Sequence, residues 1–353
     1  MSNPSHLNDD PGARMPAENE LAHQSEGDIG GVRSIGRMIA PILAGALLVL
    51  ALAGQSGRFI PTLDPANALA PAVFILSLVV FIVGWKYARI ASTLAALSLI
   101  ATGERVLPVW GEKPASASDP AGHGITLLTL NAWQHHDDPE QAARALTASG
   151  ADIVLLQEAG PVLHIQDKRL LAAYPFRSDC PENCDLAILS KLPVSDFRYR
   201  LRDGDGQWVG PRVVFADLLP ETGRPSMTVA SIHIDRVSQG GSSRPALAGR
   251  LAELFTEMDR DNLVIGGDFN MTPYSFAYQN AAKTLQPIRR VSAGKASFPA
   301  RLGEYNALPV FAIDHIFAAP RWQAVPMSPG EGFGSDHLPI AVRLHEVDTR
   351  LPL

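Results

Sequence analysis

Two apolar runs dominate the first third of the chain, Ile39–Ala53, extended backwards by Ile35, and Ala68–Trp85. Each comes close to the roughly 20 residues that a helix needs to cross a bilayer. A third run, Ile90–Ala101, is shorter, carries Ser92, Thr93 and Ser98, and is followed by Glu104 and Arg105. It spans only if it begins near Tyr87 and ends near Trp110. A buried helical hairpin of a soluble domain is the competing reading, but two long runs in such close succession favour insertion. Residues 1–34 are rich in Pro, Gly, Ser, Asn and acids without an apolar period and read as a disordered tail. They do not form a cleavable leader, because the tail is acidic and the apolar run starts too late.

Basic residues in the short flanks set the orientation. Arg33 and Arg37 precede the first run, and Lys86 and Arg89 separate the second from the third. Placing both pairs on the cytoplasmic face requires three spans and sends everything after Trp110 across the membrane; two spans would leave it inside. Three spans are therefore expected, with the following domain on the outer side of a cell inner membrane.

After a Pro/Ser/Gly/Ala linker at 111–124 the texture changes to short apolar runs with helical patterns between them. Strands are expected at Ile125–Asn131, Ile153–Gln157, Leu186–Ser190, Arg212–Leu218, Met227–Ile234, Leu263–Gly267, Ala312–Phe317 and Pro339–Leu344. One helix is marked by Asp138 as its cap, Pro139 at the first position, Gln141 at the third and Gly150 as its stop. Another is expected from about Arg244 to Arg260, with Leu247, Leu251, Leu254, Phe255 and Met258 on one face. The pattern divides the chain into a tail at 1–34, a membrane segment at 35–110, the linker, a layered α/β domain at 125–346 and a short tail at 347–353.

Composition agrees once the membrane segment is set apart. Hydrophobic residues make up 46% and charged residues 19% of the chain, and the excess of the former lies in the first third. A formal charge of −6 gives no basic footprint for a sequence-specific nucleic-acid binder. An enzyme that holds phosphate through a bound cation needs less fixed positive charge. The two cysteines, Cys180 and Cys184, flank Pro181 and read either as a small disulfide or as two reduced thiols; the former suits an external domain.

Acids, amides and histidines fall at the ends of the expected strands. Leu127-Leu128-Thr129-Leu130 ends in Asn131, and Ile153-Val154-Leu155-Leu156-Gln157 delivers Glu158. Ser231-Ile232 delivers His233. Gly266-Gly267-Asp268-Phe269-Asn270 places Asp268 and Asn270 together. Gly334-Ser335-Asp336-His337-Leu338-Pro339 follows Ile313-Asp314-His315-Ile316. Singly, each has a bland explanation in a turn, a solvated strand end or a half-buried histidine. Together they gather negative charge at one sheet edge, which a hard divalent cation relieves through oxygen ligands. With no cysteine in these motifs, a thiolate zinc site is disfavoured.

The order Asn, Gln-Glu, His, Gly-Asp-Phe-Asn, Asp, Ser-Asp-His-Leu-Pro resembles the endonuclease/exonuclease/phosphatase superfamily across about Ile125 to Leu344. The resemblance implies a four-layer α/β/β/α sandwich, two mixed β-sheets face to face with helices outside. It implies Mg²⁺ as cofactor, with Mn²⁺ as a substitute, held chiefly by Glu158 with help from Asn131 and Asp336. Asp268 then orients or deprotonates the attacking water, and Asn270 holds phosphate or nucleophile. His337 lies beside the scissile phosphate with Asp314 fixing its tautomer, and His233 donates to a phosphoryl oxygen or the leaving group. Asp268 and His337 both remain candidates for the base. One departure is local: Asp185 opens a strand that the family usually opens with Gly. His135, His136, Asp137 and Asp138 suggest either a second metal site or a solvated loop with a helix cap.

The expected activity is that of a membrane-anchored, Mg²⁺-dependent phosphodiesterase or nuclease, with nucleic acid as the first substrate class. A lipid-headgroup phosphodiesterase or phosphatase is the alternative, because the domain is tethered beside a bilayer; Arg212, Lys191 and Arg301 are then candidate phosphate contacts. A catalytically silent binding protein would show missing ligands, and all the main positions are filled. The expected partners are a phosphoester and the bilayer; no obligate protein partner is implied. The loops Arg202–Val209 and Arg289–Asn306 are candidates for the cleft lining.

Overall fold

A computed structural model describes residues 38–112, 124–179, 185–202, 208–219, 226–236, 244–256 and 258–347. Cys180 and Cys184, and most of the loop at 202–209, lie outside them. The segment ahead of the linker contains α1 (Met38–Ser56), a 3₁₀ connection (Pro61–Leu69), α2 (Ala70–Tyr87) and α3 (Arg89–Trp110). All three helices are long and apolar enough to cross a membrane. The third is regular through Glu104 because that acid is not alone: it accepts from Gln55 Nε2 at 2.7 Å and pairs with Arg58 at 3.3 Å.

The domain that follows runs β1 (Ile125–Asn131), α4 (Pro139–Ala148), β2 (Ile153–Gln157), α5 (Gly160–His164), α6 (Lys168–Ala173), β3 (Phe176–Arg177), β4 (Leu186–Ser190), β5 (Val194–Arg202), β6 (Trp208–Leu218) and β7 (Met227–His233). It continues with α7 (Arg244–Thr256), β8 (Leu263–Asp268), α8 (Phe276–Thr284), β9 (Arg289–Arg290), β10 (Arg301–Leu302), β11 (Tyr305–Asn306), β12 (Asp314–Ala318), β13 (Trp322–Met327) and β14 (Ile340–Glu346). One six-stranded sheet has the order β13-β14-β1-β2-β4-β3 and the other β5-β6-β7-β8-β12-β9, with β10 and β11 forming a separate hairpin. Each large sheet has one parallel pair, β1–β2 and β7–β8, among antiparallel neighbours. The expected sandwich is present. Helix α7 ends at Thr256, short of Arg260, while β5 and β13 join the edges without having been anticipated.

Three apolar layers hold the domain together. Leu127, Leu155, Ile188, Val229, Val264 and Ile316 fill the space between the sheets. Leu128, Leu130, Val154 and Leu156 face outward onto Leu146 and Leu170 of α4 and α6. Ile232, Ile265 and Phe317 pack on Leu251 and Phe255 of α7 and Tyr278 of α8. Central strands are thus buried on both faces, which is why they read as continuous apolar runs.

The inward faces change character toward one end. With a side-chain period of two, the inward positions run Leu127-Thr129-Asn131, Ile153-Leu155-Gln157, Val229-Ser231-His233 and Val264-Gly266-Asp268, while β12 starts with Asp314 before Ile316. Gly266 lets the sheets close, since a Cβ there would lie 2.7 Å from Leu155 Cδ1. At Gly267 a Cβ would lie 1.9 Å from the backbone oxygen of Ile232. A buried polar seam stitches the sheets: Thr129 Oγ1 donates to Gln157 Oε1 at 3.3 Å, Gln157 Nε2 to Ser231 Oγ at 3.0 Å, and Ser231 Oγ to the Leu156 carbonyl at 3.1 Å.

The helical segment and the domain are joined by more than the linker. Asp64 of the 3₁₀ connection accepts from the backbone amides of Phe276 and Ala277 at 2.9 and 3.1 Å, at the N-terminus of α8, where carboxylates are favoured. Arg58 and Arg105 lie over the Phe276 ring, 4.8 and 5.1 Å from its centroid. Glu112, just past α3, pairs with Arg290 of β9.

Candidate active site

All eight residues singled out in the sequence gather at the polar end of the sandwich. Parallel pairing sets Asn131 beside Gln157 and His233 beside Asp268, and the antiparallel β8–β12 ladder sets Asp314 opposite Asp268. Glu158 follows β2 with φ 49°, and Asn270 has φ 50°. Such left-handed backbone in non-glycine residues is uncommon and collects at functional sites. Asp185 also has φ 58°, so it takes the backbone shape for which glycine is the usual choice.

Asp268 is the hub. It is fully buried, its Oδ1 accepts from the Asn270 amide at 2.7 Å, and its Oδ2 accepts from Asn131 Nδ2 at 3.0 Å. Two imidazoles aim Nε2 at the same Oδ2, His233 at 3.9 Å and His337 at 3.9 Å. Those gaps are too long for hydrogen bonds. Burial, reinforced by the charge of Asp314, pushes the Asp268 carboxyl up to about 7.

The two histidines are held in opposite ways, His233 neutral and His337 cationic. Arg212 Nη2 donates to His233 Nδ1 at 3.3 Å, which leaves the proton on Nε2. Burial and then the Arg212 charge push His233 down to about 4. His337 donates from Nδ1 to Asp314 Oδ2 at 2.7 Å, both side chains being buried. Burial opposes a charge on His337, but Asp314, Asp268 and Asp336 outweigh it and raise the imidazole to about 9. The segment carrying His337 is pinned by Ser335, whose Oγ donates to the Asn131 carbonyl at 2.7 Å and accepts from the His337 amide at 3.0 Å.

Glu158 faces the same pocket. Its oxygens accept from the Gln134 amide at 2.7 Å and from Asn131 Nδ2 at 3.1 Å, and Oε1 lies 4.0 Å from His233 Nε2. Burial opposes its ionised form, but these hydrogen bonds and the nearby imidazoles prevail and lower its pKa. Asp336, raised by burial, has an Oδ1 that is buried without a partner.

Two groupings offer oxygens to a cation. Asp268, Asp314 and His337 present atoms within 4.8 Å of one another. However, the shortest contact in that trio is the Asp314–His337 hydrogen bond itself, which occupies two of its atoms. Asp336 Oδ1 is buried without a hydrogen-bond partner and feels the charge of Glu158, so these two carboxylates offer oxygens of the kind Mg²⁺ prefers. Asn131 is placed differently from a simple ligand: its Nδ2 bridges Glu158 and Asp268, and its Oδ1 accepts from the Trp133 amide at 3.0 Å.

Neighbouring candidates separate cleanly. His136 is buried, with Nε2 on the Phe333 carbonyl at 2.7 Å and Nδ1 accepting from the Asp138 amide at 3.0 Å, and Asp138 caps α4 through Gln141 N. The cap reading therefore fits this loop. Lys191 bonds the Gly150 carbonyl, and Arg301 bonds the Gly334 carbonyl beside Asp137. Sequence reasoning missed Arg236, whose Nε donates to Asn270 Oδ1 at 3.3 Å, and Gln157, which anchors the seam behind Glu158. Arg236 stands in an unpatterned loop; Gln157 was legible as a polar residue at an inward strand position.

The family model for the endonuclease/exonuclease/phosphatase family matches residues 128–337. No curated protein sequence matches the chain. Among solved structures, an endonuclease/exonuclease/phosphatase from Bacteroides vulgatus is similar at 19% identity and TM-score 0.48, over 64% of this chain and 100% of that one. The human nocturnin catalytic domain with bound sulfate is similar at 14% identity and TM-score 0.48, over 64% and 95%. The beta toxin of Staphylococcus aureus is similar at 16% identity and TM-score 0.46, over 63% and 100%.

Proposed function

Because the chain belongs to the endonuclease/exonuclease/phosphatase family, we propose that it is a Mg²⁺-dependent phosphodiesterase anchored in a membrane by α1, α2 and α3. The observation that carries this reading is the convergence of two differently held imidazoles on one buried carboxylate oxygen, at distances too long for hydrogen bonds, so that neither Nε2 is spent on that carboxylate. Glu158 and Asp336 would hold the cation, with Mn²⁺ as a substitute, and Asn131 would keep Glu158 in place. A divalent ion at such a position offsets charge on phosphoryl oxygens and lowers the pKa of a bound water. Asp268 accepts the proton of the attacking water. His233 presents its Nε2–H, and His337 presents its own Nε2–H in the cationic form that Asp314 stabilises, to the phosphoryl oxygens and the leaving group. Asn270, fixed by Arg236 and by the Ile234 carbonyl, orients the phosphate.

The pairing of the helices supports a reading of the membrane side. The 3₁₀ connection and the catalytic domain touch through Asp64, and two helices lie between them in sequence. The contact is met if both helices cross or if neither does, and not if one crosses alone; because both are long and apolar enough to cross, it supports connection and domain on one side. With Arg33, Arg37, Lys86 and Arg89 on the cytoplasmic face, that side is extracytoplasmic. The test is hydrolysis of bis(4-nitrophenyl) phosphate by the full chain in detergent. EDTA should abolish turnover and Mg²⁺ restore it, and Glu158→Gln and His337→Ala should each lower kcat about 10²-fold or more. Full activity in both variants would remove the assignment.

A further inference from the structure

Beside Asn270 and Arg236 the pocket continues into a cavity of about 370 Å³, within the roughly 300–1,000 Å³ range of small-molecule sites. One wall is the 3₁₀ connection, through Asp64, Pro65 and Ala68; the other is Met271, Phe298 and Phe311. The cavity adjoins the candidate active site through Asn270, with Arg236 as the cation beside it, and the rest of its lining is largely apolar. The connection runs directly into α2, so this wall is continuous with a membrane-spanning helix.

The opposite wall has its own unusual surface. Phe298 and Phe311 pair across the base of an excursion that contains β10 and β11, and the Phe298 ring lies 4.9 Å from that of His337. In this excursion Leu302, Tyr305, Leu308 and Val310 are 66%, 80%, 85% and 64% exposed. Among the residues after the linker whose side chains are described, these are the only large hydrophobic ones more than half exposed. A cluster of this kind in water is unfavourable and marks a surface that meets a partner or a membrane. Here it springs from the wall of a cavity whose other wall leads into the bilayer, which selects the membrane.

Resting on the phosphodiesterase reading above, we propose that the diester cleaved at this site belongs to a lipid of the same bilayer. Its apolar end lies between the Pro61–Leu69 connection and the 298–311 excursion, and its phosphate reaches Arg236 and Asn270. The water oxygen bonds to phosphorus, one P–O ester bond breaks, and the departing alcohol leaves with a proton; the products are a phosphomonoester and an alcohol.

The experiment uses the full chain in nanodiscs of phosphatidylethanolamine and phosphatidylglycerol with Mg²⁺, reading lipid products by mass spectrometry. Bis(4-nitrophenyl) phosphate and a single-stranded oligodeoxynucleotide serve as water-soluble comparisons. Lipid should be consumed. Leu308→Asp, at an exposed position, and Ala68→Trp, which fills the cavity, should each lower the ratio of lipid to soluble-diester turnover about tenfold or more. Intact lipid alongside soluble-diester turnover overturns the lipid assignment and leaves the phosphodiesterase standing, as does cleavage of the oligonucleotide alone. Lipid turnover unchanged in both variants overturns the assigned path. Failure on every diester removes the phosphodiesterase reading itself.

Discussion

Replacing Asp314 with Asn changes one atom in the most constrained contact of the site. The carboxylate accepts the Nδ1 proton of His337 at 2.7 Å, with both side chains almost wholly removed from water. A hydrogen bond to a charged group contributes about 1.5–3 kcal/mol, which is about 10- to 150-fold in rate if it operates fully in the transition state. A second effect adds to it. If the Asn amide turns its Nδ2 toward His337, the ring must give up its Nδ1 proton, and the cationic form that Asp314 supports is lost. The expected loss in kcat for Asp314→Asn is therefore on the order of 10²–10⁴. KM should stay within about threefold, because Asp314 lies behind His337 and acts through it. Steady-state kinetics on bis(4-nitrophenyl) phosphate measure both, and thermal melting confirms that the near-isosteric variant is folded. A kcat within threefold of the parent would show that Asp314 does not orient the reacting imidazole.

Other expectations concern the scaffold. Gly267→Ala places a Cβ 1.9 Å from the Ile232 oxygen, where about 3 Å is the least tolerated, so β8 must part from β7 beside His233 and Asp268; a loss of about 3 kcal/mol or more should appear in chemical denaturation, and an unchanged midpoint would contradict the packing. Gln157→Leu removes the acceptor of Thr129 and a donor to Ser231, costing about 1–3 kcal/mol by the same measurement, with no loss arguing against the seam. His315 donates from Nε2 to the Met271 carbonyl at 2.9 Å, and its buried Nδ1 has no partner. Burial and then the Arg290 charge push it down to about 3 from 6.5, so the unfolded chain takes up the proton first and stability falls as pH drops from 6.5 toward 3. The full effect is on the order of 5 kcal/mol, and His315→Gln should flatten this limb of the stability–pH curve; an identical limb in both proteins would refute it.

The parts of the fold that were legible in the sequence are those governed by local period. The central strands announce themselves because both faces are buried, and the cap Asp138-Pro139 marks α4 with its own hydrogen bond. Strands β5 and β13 were overlooked because they lie at sheet edges, where one ladder is missing and polar residues are admitted; β13 even carries Pro326. At the site, residue types at strand ends gave the composition of the cluster, yet not its wiring. The bridge from Asn131 to both Glu158 and Asp268 joins positions 27 and 137 apart, and Ser335 reaches Asn131 over 204 residues. No periodicity encodes such distances. Arg236 and the docking of Asp64 were invisible for the same reason.

The clasp between Asp64 and α8 makes the polypeptide hard to divide. A truncated protein starting at the linker would leave the first amides of that helix facing solvent, strip two guanidinium groups from the Phe276 ring, and remove one side of the passage next to Asn270. Its helix begins the stretch directly downstream of Asp268 and Asn270. A trimmed version prepared for convenience is thus a different enzyme from the parent, with a looser floor and a wider mouth.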